Sequence, residues 1–151
     1  MRLNTFTDYS LRTLIYLALK DTSLVTRREI AGAHEISDNH LMKVVNFLSR
    51  QGYIETTRGK GGGMRLARAP EKINIGKVVH DCESDIPLIV CFKCNSRTQD
   101  NNSCRLNGVC ALKGLLSEAH QAMYKTLERY TLADLLVKKT AMQRRLGLKV
   151  G

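Results

Sequence analysis

Three consecutive segments decide the fold. The first is Ser37-Asp38-Asn39-His40-Leu41-Met42-Lys43-Val44-Val45-Asn46-Phe47-Leu48-Ser49-Arg50-Gln51-Gly52. Next come Tyr53-Ile54-Glu55-Thr56-Thr57 and Arg58-Gly59-Lys60-Gly61-Gly62-Gly63, followed by Met64-Arg65-Leu66-Ala67. Leu41, Val44, Val45 and Leu48 recur at helical spacing, Ser37 can cap the exposed N–H groups at the start, and Gly52 ends the run. The two flanking segments read as strands, and the glycine-rich basic stretch between them reads as a hairpin tip.

Upstream lie two more helices. One is expected to start at Thr7 or Asp8 and to bury Leu11, Leu14, Ile15, Ala18 and Leu19. The other opens on the capping box Thr26-Arg27-Arg28-Glu29 and breaks near residues 32–35. Three helices followed by a two-stranded hairpin give a mainly α fold with a small β-hairpin wing, the order of a winged helix-turn-helix. Downstream, a short helix is expected from Ile75, carrying Cys82 as a packed, inert thiol beside Val78 and Val79. Residues 84–110 show no sustained period. Leu112, Leu115, Leu116, Ala119, Met123 and Leu127 mark a long amphipathic helix, and Thr131-Leu132-Ala133-Asp134 caps a further turn. From Lys138 onward there are five cations and no acid, the pattern of a flexible tail.

The outward side of the third helix presents Asn39, Lys43, Asn46 and Arg50, with His40 beside them. Asn pairs bidentately with adenine, while Lys and Arg reach guanine or phosphate. Arg58, Lys60 and Arg65 put positive charge on the wing, where glycines let the backbone approach a groove. The glycine-rich tip is not a nucleotide phosphate loop, because strands flank it and Gly61 rather than Ser or Thr follows Lys60. Composition agrees with a polyanionic partner: 24 Lys and Arg against 14 Asp and Glu leave +10 over 151 residues. Both halves share that excess, with thirteen cations against seven acids in residues 1–80 and eleven against seven after them.

No apolar run approaches the ~20 residues that span a bilayer, and the N-terminus has no signal-peptide pattern, so a cytoplasmic protein without a membrane is expected. Cysteines clustered in a reducing compartment point to metal or redox chemistry rather than disulfides. Four of the five follow the spacing Cys91-x2-Cys94-x9-Cys104-x5-Cys110. Thiolates select zinc or iron–sulfur clusters, and the spacing leaves both open. A thiol redox enzyme is disfavoured, because Cys91-x2-Cys94 lacks a strand–helix setting. The four histidines, His34, His40, His80 and His120, are scattered and form no nucleophile constellation, so no enzyme activity is expected.

Several motifs carry a family resemblance. They are Phe6-Thr7-Asp8-Tyr9, Leu48-Ser49-Arg50-Gln51-Gly52-Tyr53, the segment from Arg58 through Leu66, Cys104-x5-Cys110, and Tyr130-Thr131-Leu132-Ala133-Asp134-Leu135. From Met1 to about Lys138 the chain resembles the iron–sulfur winged-helix regulators that include NsrR, IscR and RirA, on the nitric-oxide-responsive NsrR branch. That resemblance implies a homodimeric repressor that binds double-stranded DNA at an inverted-repeat operator. Its long helices would pack against each other, each cluster would lie near the dimer interface, and nitric oxide would be the signal. It implies three cysteine ligands, of which the last two map onto Cys104 and Cys110. The first maps onto Cys91, which follows Leu88-Ile89-Val90, with Cys94 as the alternative.

The fourth ligand of NsrR-like relatives corresponds to Asp8 of the other subunit, a residue that can also be read as a helix cap. IscR-like relatives use a His three residues past the last Cys, where this chain has Lys113. The expected cofactor is [4Fe–4S], with [2Fe–2S] and an iron or redox signal as the alternative, and structural zinc as a third. The implied organisation is residues 1–80 as the DNA-binding domain and 81–110 as the cluster-binding loop. Residues 111–137 form the dimerisation region, and 138–151 the basic tail.

Overall fold

The computed structural model describes residues 3–20, 23–83 and 109–148. Helix α1 spans Thr5–Leu19, α2 Arg27–His34 and α3 Asp38–Arg50. Strands β1 (Ile54–Thr57) and β2 (Gly63–Leu66) follow, then α4 (Ile75–Glu83), α5 (Ala111–Leu127) and α6 (Lys139–Arg145).

The start of α1 differs from expectation. Asn4 is the N-cap, its side-chain oxygen accepting the Thr7 N–H at 2.7 Å, so neither Thr7 nor Asp8 caps the helix. Asp8 lies within the first turn instead. The expected capping box of α2 is present in full: Thr26 accepts from the Glu29 N–H, and Glu29 accepts from the Thr26 N–H. Helix α2 ends within the expected 32–35 stretch: Gly32 is still helical, and the chain turns at Glu35, in the left-handed region at φ 54°. Helix α3 starts on Ser37 and ends where Gly52, at φ +69°, lets the Tyr53 N–H donate to Leu48 and the Gly52 N–H to Ser49. That pair of bonds satisfies carbonyls that would otherwise be orphaned.

The core collects one face from every element of the DNA-binding region. Leu14, Val25, Ile30, Leu41, Val44, Leu48, Ile73, Val78 and Leu132 are fully enclosed. Strands β1 and β2 pair antiparallel in the register Glu55 with Arg65 and Thr57 with Gly63. Val25 adds a bridge to Met64, the two residues exchanging N–H···O bonds at 2.9 and 2.8 Å. Gly63 is needed there, since a Cβ would lie 2.8 Å from the Val25 carbonyl oxygen. Tyr53, 2% exposed, donates its hydroxyl to Asp81 at 2.7 Å and so ties the wing to α4.

The chain after α5 returns to this body. Ile75 N–H donates to Tyr130 and Leu132 N–H to Ile73, while Gly76 allows α4 to approach Glu128 closely. The basic stretch from Lys138, expected to be a flexible tail, instead contains α6. Its Gln143 is buried and donates to the Leu19 carbonyl at 3.0 Å, which fixes α6 to the end of α1. No helix among the described residues is long and apolar enough to cross a membrane.

Candidate nucleic-acid interface and metal site

Helix α3 divides sharply into two faces. Leu41, Val44, Val45 and Leu48 are buried, and Phe47 packs edge-on against Phe6 with ring centroids 5.2 Å apart. Asn39, His40, Lys43, Asn46 and Arg50 are all exposed. The five predicted reading residues therefore share the outward side of one helix. His40 Nδ1 lies 3.0 Å from the Ser37 hydroxyl, so its ring is held at the first turn. Arg27 grips Asp38 through two bonds of 2.6 and 2.8 Å and fixes the angle between α2 and α3, a contact the sequence reading missed.

On the wing, Arg58 and Lys60 are exposed and have no ion-pair partner among the described residues. The tip closes with a bond from the Gly62 N–H to Gly59, and Gly59 and Gly61 have φ of 101° and 82°. Arg65 is different: it lies on β2 rather than at the tip and pairs across the ladder with Glu55 at 2.9 Å. Its charge is thereby partly answered within the fold. Sequence reading also overlooked Arg68, whose guanidinium donates to the Gly52 carbonyl and lies 5.3 Å from the Tyr53 ring centroid. Arg68 braces the junction between reading helix and wing.

Of the predicted metal ligands, Cys91, Cys94 and Cys104 lie outside the described residues. Cys110 is half-buried at the N-cap of α5. Asp8 projects from α1, its carboxylate accepting the Arg12 Nε–H at 3.0 and 2.9 Å, with both side chains 48% exposed. One turn earlier, Glu83 accepts the Asn4 N–H at 2.9 Å and the Thr7 hydroxyl. The end of α4, the last described residue before the cysteine segment, is thus bonded to the first turn of the helix that carries Asp8.

Of the two donors among the described residues, the Cys110 thiol suits a soft metal centre and the Asp8 carboxylate is a harder ligand. Among the described residues alone, no three His, Cys, Asp or Glu side chains group closely enough to hold a metal. Cys82 stands apart: burial pushes its thiol up to about 11, which keeps it protonated, as its inert assignment requires. His34 is held below its usual pKa by burial and by the Arg12 charge. His80 and His120 pack edge-on against Tyr124.

Helix α5 projects beyond α4. Its inner end packs at Gly76 and Tyr124, but none of its residues is buried, and Leu112 and Leu115 are 55% and 63% exposed. From Tyr124, whose ring meets His80 of α4, Cys110 lies fourteen residues back, ~21 Å along the helix axis.

Comparisons with known proteins bear on the family and the fold. The family described as Rrf2, iron-dependent transcriptional regulator, matches residues 3–138. The HTH-type transcriptional regulator NsrR of Halalkalibacterium halodurans is 47% identical over 150 residues, covering 99% of both chains. That of Bacillus subtilis is 45% identical with the same coverage. Among solved structures, CymR, the global cysteine regulator of B. subtilis, superposes with a TM-score of 0.68 at 25% identity, covering 89% of this chain and 95% of that one. The IscR of T. potens has a similar fold, with a TM-score of 0.70 at 21% identity over 100% of this chain and 94% of that one.

Proposed function

The chain belongs to the Rrf2 family of transcriptional regulators, and from that footing we propose that it is a cytoplasmic homodimeric repressor whose grip on an inverted-repeat operator is set by a nitric-oxide-responsive iron–sulfur cluster. One observation carries the reading furthest. Cys110 starts a helix with no buried residue, and that helix carries it away from the body on which Asp8 stands exposed. A second copy, packed on the apolar side of α5, would supply what the described residues of one chain do not: cover for Leu112 and Leu115, and an Asp8 for the cysteine segment.

In this reading Cys104, Cys110 and Cys91 hold the cluster, with Cys94 the alternative to Cys91, and the partner subunit's Asp8 completes the set. The preferred cluster is [4Fe–4S]. When bound, it supplies an iron that a small diatomic ligand can attack. Asp8 contributes a hard, weakly held oxygen ligand, which makes that iron the vulnerable one. In the structure the carboxylate is paired with Arg12, one helical turn away, so binding iron would require it to give up that pair. Because Glu83, the last described residue before the cysteine segment, bonds the first turn of α1, and Phe6 of α1 packs on Phe47 of α3, a change at the cluster can reach the reading helix. The two copies of α3 would enter successive major grooves about 34 Å apart, with Asn39, His40, Lys43, Asn46 and Arg50 facing bases and Arg58, Lys60 and Arg65 the backbone or minor groove.

Anaerobic purification followed by iron, sulfide and zinc analysis tests the reading. Brown protein with iron and acid-labile sulfide, bleached by nitric oxide, is expected. Colourless protein with one tight zinc per chain overturns it.

A further inference from the structure

Met42 is the one large apolar side chain on α3 that the fold leaves in solvent. It is 42% exposed, while Leu41, Val44, Val45 and Leu48 lie in the core and Phe47 packs on Phe6. At 3.6 residues per turn, Met42 stands about 60° around the helix from Asn39 and about 40° from Asn46. It therefore stands at the edge of the outward face, to one side of both amides suited to adenine and between them only along the helix axis. A single exposed apolar residue needs no explanation on an ordinary surface. This one borders a face whose other members are Asn, Lys, Arg and His, all hydrogen-bonding groups, and among the described residues it is not part of the hydrophobic core cluster.

The major groove displays one apolar group, the C5-methyl of thymine. Resting on the reading of α3 as the base-reading helix, we propose that Met42 is a specificity-determining residue that packs against a thymine methyl in each operator half-site. Side chains three and four apart on a helix are ~5–6 Å apart, and bases on one strand rise ~3.4 Å per step. The thymine therefore lies one or two base pairs from an adenine read by Asn39 or Asn46. Methionine suits the task, because its unbranched thioether adapts to the methyl without a fixed rotamer and offers no donor that would favour another base.

The test isolates the methyl itself. High-affinity half-sites are selected from random DNA with the anaerobically purified dimer, and each thymine in turn is replaced by deoxyuridine, which differs only in lacking C5-methyl. For the natural chain, one thymine per half-site should give about a fourfold loss of affinity, the equivalent of exposing one methyl group. Met42→Ala should bind the thymine site correspondingly less well and show no further loss with deoxyuridine, while Met42→Leu should keep the response. Asn39→Ala should lose preference at a different base pair and retain the methyl response. The proposal is overturned if no thymine responds, or if Met42→Ala suffers the same deoxyuridine loss as the natural chain. If Asn39→Ala, Lys43→Ala and Asn46→Ala all leave base preference unchanged, it is the reading of α3 that fails. Met42 is exposed, so an unchanged melting curve for Met42→Ala is expected and separates readout from folding.

Discussion

Replacing Asp8 with Ala should cost the fold little and the metal centre a great deal. The fold's share can be worked from the geometry. Asp8 pairs with Arg12 one turn along α1, with both side chains 48% exposed. An exposed pair of this kind is worth ~0.3–0.5 kcal/mol. A carboxylate in the first turn adds ~0.3–1 kcal/mol through the helix dipole. No cap is lost, because Asn4 holds that position. The ceiling is therefore about 1.5 kcal/mol, a fall of no more than about 6 °C in the melting temperature of the apoprotein.

In the proposed cluster, by contrast, Asp8 is one of four ligands. Asp8→Ala should still assemble a cluster on three thiolates, but with an altered visible absorbance and circular dichroism spectrum and a changed nitric-oxide titration. Arg12→Ala removes the same ion pair and keeps the carboxylate, so its spectrum should stay that of the natural chain. Asp8→Cys supplies a softer ligand and should slow the response. An Asp8→Ala protein with an unaltered spectrum and nitric-oxide response would refute the assignment and leave Asp8 as the Arg12 partner alone.

Cys104→Ala and Cys110→Ala should each abolish the cluster in anaerobic iron and sulfide assays, and of Cys91→Ala and Cys94→Ala only one should, with Cys91 expected. Arg58→Ala and Lys60→Ala should each weaken operator binding and lower the slope of log K against log salt by about 0.9; Arg65→Ala should change it less, since Glu55 already answers that charge. Glu29 is held below its ordinary pKa of 4.5: burial opposes this, but bonds from Lys20 and Thr26 outweigh it. A depressed carboxylate adds stability above its unfolded pKa and loses it as pH falls through the folded value. Melting curves of Glu29→Gln should therefore be less stable than those of the natural chain at neutral pH, with the difference shrinking below pH 4.5.

Where local chemistry decides structure, the sequence was readable. The Thr26 and Glu29 capping box, Ser37 at the start of α3, Gly52 at its end and the glycine-rich wing each act within a few residues, and each is found as expected. The start of α1 is ambiguous in sequence because Asn4, Thr7 and Asp8 are all good caps; a long-range bond donated by the Asn4 N–H to the Glu83 carboxylate favours the first. Helix α6 was missed for a similar reason. Its run of cations reads as a solvated tail, and the contact that fixes it joins Gln143 to Leu19, 124 residues away. The reading face of α3 was legible from the buried stripe opposite, whereas the pairing of Arg65 with Glu55 depends on strand register. For the cysteines, the spacing indicated soft-metal chemistry; the choice of ligands came from family resemblance.

The central claim is that cluster state controls operator binding. Its most direct test is a titration of the anaerobic, cluster-loaded dimer with nitric oxide, recording cluster absorbance and the fraction of selected operator bound in the same samples. The account predicts that DNA is released in step with bleaching, and that the chain with Cys110→Ala shows neither signal. Operator binding that stays constant through complete bleaching would contradict it.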